Sequence, residues 1–206
     1  MTMKFTITTL GCKVNQYESA ALSAALRRAG FTRSEDGAGD LVVINTCCIT
    51  TTAMRKSRQA IRKAIRSARP DPVVLVAGCY SDYSGQKIAQ LISEAGVSER
   101  RAVIVGHHGD IAEAVSQAAD AVKRSIETTY REQGAFSAED LKSRRKIAET
   151  RENVSNLPNI DRFEGHQRAF VKVQDGCDAF CTYCVVPFTR PNLTSRPIAD
   201  FQAEWA

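Results

Sequence analysis

The sequence predicts an α/β fold that begins with a doubly wound parallel sheet of the Rossmann or flavodoxin-like type. The first observation is a set of four short β-branched runs, at residues 5–10, 41–45, 73–77 and 102–105. The second is that a stretch with helical periodicity follows each run, and that successive runs lie about 30 residues apart, as in βαβ crossovers. We therefore expect an amino-terminal domain over residues 1–125.

The helices between these strands carry recognisable end signals. A helix predicted over residues 17–29 stops before Gly30, which suits a left-handed C-terminal cap. Asp110 and Glu113 have the spacing of a capping box and predict the start of the last helix of the domain. These signals support the alternation of strand and helix.

The second part of the chain differs in character. Residues 126–165 are polar and rich in charge, which indicates a linker, and a helix over residues 138–149 is expected to interrupt it. A strand predicted over residues 169–173 opens a second domain, residues 166–206. A (β/α) barrel takes at least about 200 residues, so any barrel that begins in this region is expected to be truncated and incomplete.

The composition is that of an ordinary soluble globular protein, with 43% hydrophobic and 25% charged residues. No apolar run approaches the roughly 20 residues of a membrane span, and the first residues lack the features of a signal peptide. We therefore expect a cytoplasmic protein with no membrane partner. In a reducing compartment, its seven cysteines favour metal or catalytic chemistry over disulfides. The net charge of +5 is compatible with an RNA partner but does not require one.

Three cysteines in the second region form the pattern C-x-x-x-C-x-x-C: Cys177, Cys181 and Cys184. Three thiolates in one short loop can hold a [4Fe–4S] cluster and leave its fourth iron open. Such an iron can chelate S-adenosylmethionine, which the reduced cluster cleaves to an adenosyl radical. Tyr183 is the candidate contact to the adenine. The alternatives are buried thiols or a structural zinc site, but zinc needs a fourth ligand, which His166 could supply only by folding back.

Three more cysteines each follow a predicted strand: Cys12, Cys47 and Cys79. The carboxyl ends of parallel strands meet at one edge of a sheet, so these thiols are expected to converge there. Convergence suits a second three-cysteine cluster. However, a single cysteine at a strand is usually a small buried hydrophobe, and Cys48 is interpreted in that way. Position alone leaves both interpretations of the three strand-end cysteines open.

The motifs of the chain resemble those of the methylthiotransferase family of radical S-adenosylmethionine enzymes. The resemblance spans nearly the whole chain and rests on four segments, Thr9-Leu-Gly-Cys-Lys-Val-Asn-Gln-Tyr-Glu-Ser19, Ile44-Asn-Thr-Cys47, Ala77-Gly-Cys-Tyr80 and Lys172-Val-Gln-Asp-Gly-Cys-Asp-Ala-Phe-Cys-Thr-Tyr-Cys184. The first segment is similar to the branch that methylthiolates N6-threonylcarbamoyladenosine beside the tRNA anticodon. The isopentenyladenosine branch tends to have Gly-Cys-Gln-Met-Asn there, and the ribosomal-protein branch Gly-Cys-Pro-Lys-Asn.

The resemblance implies two [4Fe–4S] clusters with different tasks. The cluster at Cys177, Cys181 and Cys184 would generate the radical that attacks adenine C2, and the cluster at Cys12, Cys47 and Cys79 would deliver the sulfur. The two would have to approach each other across the domain boundary, and an electron donor protein would reduce them. Because most of the barrel lies outside these residues, we expect that the 206-residue chain does not turn over alone.

Two residues depart from the family pattern. Cys48 stands where threonine is usual, and Pro191 replaces a glycine just after the cluster loop. Three alternative functions stay open. The first two are methylthiolation of another tRNA adenosine and methylthiolation of a ribosomal protein. The third is a truncated, non-catalytic iron–sulfur or electron-transfer protein.

Seven basic residues and no acidic ones lie between Arg55 and Arg69, on a predicted amphipathic helix that starts soon after Cys47. Such a face is either merely solvated or attracts phosphates, and we favour contact with tRNA. Arg190 and Arg196 are likewise either solvated or paired with a carboxylate or phosphate. Gly78 and Gly106 do not form a G-x-G-x-x-G motif, so no dinucleotide cofactor is expected.

Overall fold

A five-stranded parallel sheet forms the centre of the amino-terminal region. The computed structural model describes residues 2–34, 37–106, 110–132, 160, 163 and 170–205. The strands are β1 Met3–Thr9, β2 Phe31–Arg33, β3 Leu41–Thr46, β4 Val73–Gly78 and β5 Ala102–Val105. Their order in the sheet is β2-β1-β3-β4-β5, and every neighbouring pair is parallel. This is the flavodoxin-like order, so the predicted doubly wound α/β fold is confirmed.

Four helices cover the two faces of the sheet: α1 Lys13–Arg28, α2 Thr51–Ser67, α3 Cys79–Glu94 and α4 Ile111–Glu132. Alternate residues of β3 point to opposite faces. Leu41 and Val43 pack in the core with α1 and α4, whereas Val42 and Ile44 pack in the core with α2 and α3. Because both faces are buried, the central strands appear in the sequence as continuous apolar runs.

The predicted helix ends agree with the observed caps. Gly30 has φ +88°, as a left-handed residue after α1 should. The Asp110 carboxylate accepts hydrogen bonds from the backbone N–H groups of Ala112 (2.8 Å) and Glu113 (3.1 Å) at the start of α4. The helix predicted from residue 17 begins earlier, at Lys13. The strand β2 was not predicted, since it has three residues and only Phe31 is buried.

The carboxyl-terminal segment forms a small antiparallel ladder. Its elements are β6 Gln174–Asp175, α5 Val186–Thr189, β7 Thr194–Ser195 and α6 Ile198–Trp205, with β6 paired to β7. The strand predicted over residues 169–173 is wrong for residues 170–173, which carry no strand. Val173 is 58% exposed, so this end of the apolar run is not buried. The ladder closes the loop that carries the cysteine triplet.

Several sequence predictions fall outside the described residues. These are His166, the helix over residues 138–149 and most of the linker over residues 126–165, although α4 itself continues to Glu132. Among the helices that the structure describes, none is both long and apolar enough to cross a lipid bilayer.

Gly78 makes the turn from β4 into α3. Its φ is +95°, and a Cβ at this position would lie 2.3 Å from Oδ1 of Asn45 and 2.4 Å from the carbonyl oxygen of Thr46. Any side chain would therefore be strained by the backbone conformation and would also collide with the end of β3. The glycine lets two neighbouring strand ends approach closely just before Cys79.

We expect Gly78→Ala to lower the free energy of unfolding by about 2–5 kcal/mol, because backbone strain and overpacking add. Gly30→Ala is the matched control, since Gly30 also has a positive φ but has no atom within 4 Å of the added Cβ. It should cost only about 1–2 kcal/mol. Urea unfolding of both variants measures the difference, and equal losses would contradict the close-packing argument.

Candidate metal centre

Three cysteines lie at the carboxyl edge of the sheet. Cys12 is the residue before α1, Cys47 follows β3, and Cys79 opens α3 after β4. Thr46 pairs with Gly78 in the sheet, so the next residues, Cys47 and Cys79, leave the edge side by side. A Cβ added at Gly11 would lie 3.1 Å from Sγ of Cys47, so the loop after β1 also reaches this point. The strand register thus brings the three thiols to one edge.

Two buried asparagines hold the loops that carry Cys12 and Cys47. The Asn15 amide donates hydrogen bonds to Asn45 Oδ1 (3.2 Å) and to the carbonyl oxygen of Thr46 (2.8 Å). The Asn45 amide donates to the carbonyl oxygen of Asn15 (2.9 Å) and to Ser19 Oγ (3.1 Å). The Cys12 thiol donates a hydrogen bond to Asn15 Oδ1 (3.5 Å). This reciprocal pair ties α1 to the end of β3.

Cys47 is anchored from the other side by Ser57 of α2. Its backbone N–H donates to Ser57 Oγ (3.1 Å), and the Ser57 hydroxyl donates back to the carbonyl oxygen of Cys47 (3.0 Å). Both residues are buried. Burial raises the pKa of the Cys47 thiol, and the nearby Cys79 and Cys12 add to the rise.

Cys79 has a different electrostatic environment. A hydrogen bond from the Cys48 thiol, followed by the charge and hydrogen bonds of Arg190, lowers the pKa of Cys79 to about 6 despite its burial. The Cys48 thiol also lies 3.3 Å from the carbonyl oxygen of Cys79, and the contact with the Cys79 side chain raises the pKa of Cys48. The structure therefore favours the Cys79 thiolate, the form that binds metals. Cys48 is buried in the apolar core, in agreement with its interpretation as a small hydrophobe.

Arg190 reaches Cys79 from the carboxyl-terminal segment. Its Nε lies 3.4 Å and its Nη2 3.3 Å from Sγ of Cys79. Nη1 forms ion pairs with Glu18 (2.9 Å) and Asp175 (2.8 Å). Lys172 joins the same two carboxylates, at 2.6 Å from Asp175 and 3.5 Å from Glu18. These four charged groups thus connect the carboxyl-terminal segment to α1 and to Cys79 of the amino-terminal region.

The cysteine triplet lies in the loop that the β6-β7 ladder closes. Cys177 and Cys184 are half-buried and Cys181 is exposed. The backbone N–H of Cys184 donates to the carbonyl oxygen of Cys181 (3.0 Å), which forms a turn between these two cysteines. Tyr183 is 90% exposed, so its ring is free to meet a planar ligand. Phe180 and Phe188 pack edge to face, with ring centroids 5.9 Å apart.

The donor chemistry fits thiolate-ligated clusters at both places. Each set offers three cysteines, as an iron–sulfur cluster with one open iron requires. Within the described part of the chain, no group of three or more cysteine, histidine or acidic side chains already has the arrangement of a bound metal ion. The role of all six cysteines as ligands therefore stays a prediction.

The helix predicted to carry the basic residues from Arg55 to Arg69 is α2, which ends at Ser67, so that Arg69 lies just beyond it. The seven basic side chains divide into two groups. Arg58 donates a hydrogen bond to the Tyr80 hydroxyl (3.1 Å), and Arg69 pairs with Asp40 (3.0 Å). These two arginines hold the helix on the fold. The other basic residues are exposed: Arg55, Lys56, Arg62, Lys63 and Arg66. The surface that they form is called the α2 basic face.

Asn15, Asn45 and Ser57 position the cysteine loops, and their roles were not predicted from the sequence. Their signal is a polar residue where the pattern of a buried strand or helix requires an apolar one, but its partner cannot be identified from spacing. For Arg190 the sequence left solvation, a carboxylate and a phosphate as alternatives, and in the structure the residue pairs with the carboxylates of Glu18 and Asp175.

Comparison with known proteins gives two kinds of match. Residues 4–98 match the model of the uncharacterized protein family UPF0004, a range that runs from β1 through α3 and includes Cys12, Cys47 and Cys79. The chain is also similar to curated tRNA-modifying enzymes. It is 35% identical over 189 residues to the threonylcarbamoyladenosine tRNA methylthiotransferase MtaB of Bacillus subtilis, covering 91% of this chain and 37% of that protein.

Two further relatives extend the similarity. The tRNA-2-methylthio-N(6)-dimethylallyladenosine synthase of Novosphingobium aromaticivorans is 35% identical over 203 residues, which cover 97% of this chain and 40% of the relative. The MtaB protein of Aquifex aeolicus is 32% identical over 194 residues, or 94% of this chain and 42% of the relative. The chain thus spans about two fifths of the length of these relatives.

We expect Asn15→Ala to lower the free energy of unfolding by about 1–3 kcal/mol, because it leaves Asn45 and the carbonyl oxygen of Thr46 buried without their partner. Gln16→Ala, one position along the same helix but only half-buried, is the matched control and should cost less than about 0.5 kcal/mol. Chemical denaturation measures both values. A loss at Gln16 as large as that at Asn15 would contradict the assigned network.

Proposed function

Because this chain belongs to the methylthiotransferase family, we propose that it acts in the methylthiolation of a tRNA adenosine, with two [4Fe–4S] clusters and S-adenosylmethionine. The observation that carries the proposal is that the turns bearing Cys12, Cys47 and Cys79 leave the sheet at the same edge, with Arg190 of the second cysteine segment in contact with Cys79. The activity, substrate and partners of the full-length relatives are proposed here for a chain that spans about two fifths of their length.

Each group of residues has a distinct task in this proposal. Cys177, Cys181 and Cys184 hold the cluster that, when bound, supplies the electron for cleavage of S-adenosylmethionine. The exposed ring of Tyr183 stacks on the adenine of that molecule. Cys12, Cys47 and Cys79 hold the sulfur-donating cluster at the carboxyl edge of the sheet. The asparagine pair and Ser57 keep these thiols in place, which matters because a radical reaction requires close positioning of its partners.

The proposed substrate is N6-threonylcarbamoyladenosine beside the anticodon, modified at C2. Support comes from the Gly-Cys-Lys-Val-Asn-Gln-Tyr-Glu-Ser form of residues 11–19. The relatives named above include enzymes for both this nucleoside and dimethylallyladenosine, at equal identity, so the motif carries the choice. With a tRNA substrate, the proposed location is the cytoplasm, and an electron donor there reduces the clusters.

Nucleoside analysis of tRNA tests the substrate directly. In a strain that lacks the gene, mass spectrometry should find N6-threonylcarbamoyladenosine without its 2-methylthio group, and the full-length gene should restore the modification. Loss of the group from dimethylallyladenosine would instead select the second nucleoside. Unchanged tRNA with a changed ribosomal protein would overturn the tRNA proposal.

Iron and acid-labile sulfide analysis tests the two cluster sites. After anaerobic reconstitution the chain should hold about eight irons, and the triple alanine variant of Cys12, Cys47 and Cys79 should hold about four. The triple variant of Cys177, Cys181 and Cys184 should also hold about four. Cys48→Ala is the matched control, since this buried thiol is not assigned as a ligand, and it should keep about eight irons.

A second measurement separates catalysis from electron transfer. This measurement uses the triple alanine variant of Cys12, Cys47 and Cys79, in which Cys177, Cys181 and Cys184 are intact. Added S-adenosylmethionine should change the electron paramagnetic resonance spectrum of its reduced cluster, because S-adenosylmethionine binds at the open iron. An unchanged spectrum would favour a non-catalytic iron–sulfur protein. If the original chain and the triple alanine variant of Cys12, Cys47 and Cys79 both held about four irons, these cysteines would not bind a cluster, and the proposed reaction would have no sulfur source.

The α2 basic face is the proposed contact to tRNA. Five exposed basic side chains on a helix that follows the Cys47 loop place one sign of charge close to the candidate site. Such a surface attracts phosphates, and the contact is stronger at low salt. Arg58 and Arg69 are excluded from this role because they bind groups of the fold itself.

We expect the double variant Arg62→Gln and Lys63→Gln to weaken tRNA binding and to reduce the slope of log affinity against log salt by about 1–2, because two phosphate contacts are lost. The matched control removes two basic charges from α4, which packs on the opposite face of the sheet, through Lys123→Gln and Arg124→Gln. Filter binding at several salt concentrations measures both. Equal effects would show that net charge alone attracts the RNA.

A further inference from the structure

Arg190 contacts cysteines of both candidate sites. Its guanidinium contacts Sγ of Cys79 at 3.3 and 3.4 Å, across a sequence separation of 111 residues. Its backbone carbonyl oxygen accepts a hydrogen bond from the N–H of Cys177, the first cysteine of the triplet, at 3.1 Å. One residue therefore connects a ligand candidate of the amino-terminal site with a ligand candidate of the second site.

The surroundings of Arg190 hold its side chain in one orientation. The residue is only 6% exposed, and Nη1 is shared between the carboxylates of Glu18 and Asp175. The planar guanidinium can then direct Nε and Nη2 toward Cys79, a two-point contact that lysine cannot reproduce. Leaving any of these buried charges without its partner would be costly, so the arrangement is defined closely.

We propose that Arg190 is a positioning residue that couples the two cluster sites, by fixing the second cysteine loop against Cys79 and by donating hydrogen bonds to the Cys79 sulfur. The inference rests on the proposed function, because it assigns Cys79 to the sulfur-donating cluster. A positive charge and N–H donors at a ligand sulfur stabilise the reduced form of an iron–sulfur cluster. Arg190 therefore sets both the approach of the two sites and the potential of the amino-terminal one.

Arg196 provides a matched control from the same segment. It also reaches α1, where its Nη1 lies 2.7 Å from the Tyr17 hydroxyl, and it pairs with Glu204. Its described contacts include no cysteine. Replacement of Arg196 disturbs the docking of the segment as replacement of Arg190 does, but it leaves the Cys79 sulfur untouched.

The first test measures a reduction potential. In the reconstituted chain with Cys177, Cys181 and Cys184 changed to alanine, only the amino-terminal cluster contributes. Arg190→Met should shift its midpoint potential to a more negative value, Arg190→Lys should restore part of the shift, and Arg196→Met should leave the potential unchanged. An unchanged potential in Arg190→Met, or an equal shift in Arg196→Met, would overturn the inference.

The second test needs no cluster. In the cluster-free chain, urea unfolding of Arg190→Met, Cys79→Ala and the double variant should give non-additive losses, because contacting residues are coupled. The cycle of Arg196→Met with Cys79→Ala should be additive. If the losses of unfolding free energy in the Arg190 cycle are additive while the chain still binds iron at the amino-terminal site, the inference about Arg190 is overturned and the proposed function is not. Non-additive losses in a chain that binds no iron there would overturn the proposed function and reduce Arg190 to a structural contact.

Discussion

Parallel pairing of β1, β3 and β4 is the constraint on which the candidate site depends. Parallel strands end at the same edge of a sheet, and the register places Thr9 beside Asn45 and Thr46 beside Gly78. The residues that follow these positions therefore lie at the same edge of the sheet, however far apart they are in the chain. The reversal of strand order between β1 and β3 also leaves the crevice in which open α/β sheets bind ligands.

Close approach at this edge requires that polar groups be paired and that side chains be absent at the turns. Gly78 accepts a conformation and a contact distance that no other residue tolerates. Asn15 and Asn45 satisfy each other and the end of β3, and Ser57 satisfies the backbone of Cys47. An unpaired polar group in this buried place would cost about 1–3 kcal/mol, so the network defines the loops as well as stabilising them.

The second cysteine segment is held to the first region mainly by charge. Glu18 on α1 meets Arg190 and Lys172, and Asp175 beside the cysteine loop meets the same two cations. Desolvation offsets much of the attraction in buried ion pairs, so such a cluster gives orientation more than stability. Burial opposes ionisation of Asp175, but its hydrogen bonds to Lys172 and Arg190 lower its pKa to about 2. The carboxylate is therefore charged at neutral pH and keeps Arg190 directed at Cys79.

Sequence alone was sufficient to predict β1, β3, β4 and β5, the doubly wound fold and the placement of Cys12, Cys47 and Cys79 at one edge of the sheet, because local periodicity and strand order specify these features. It also determined the triplet, whose members lie within eight residues of each other. Three features could be found only in the folded chain: Arg190 contacts Cys79, Arg58 and Arg69 bind groups of the fold instead of joining the α2 basic face, and residues 170–173 form no strand. These outcomes depend on partners distant in the chain, and a side chain's local sequence does not specify which distant group completes its hydrogen bonds or covers its apolar surface.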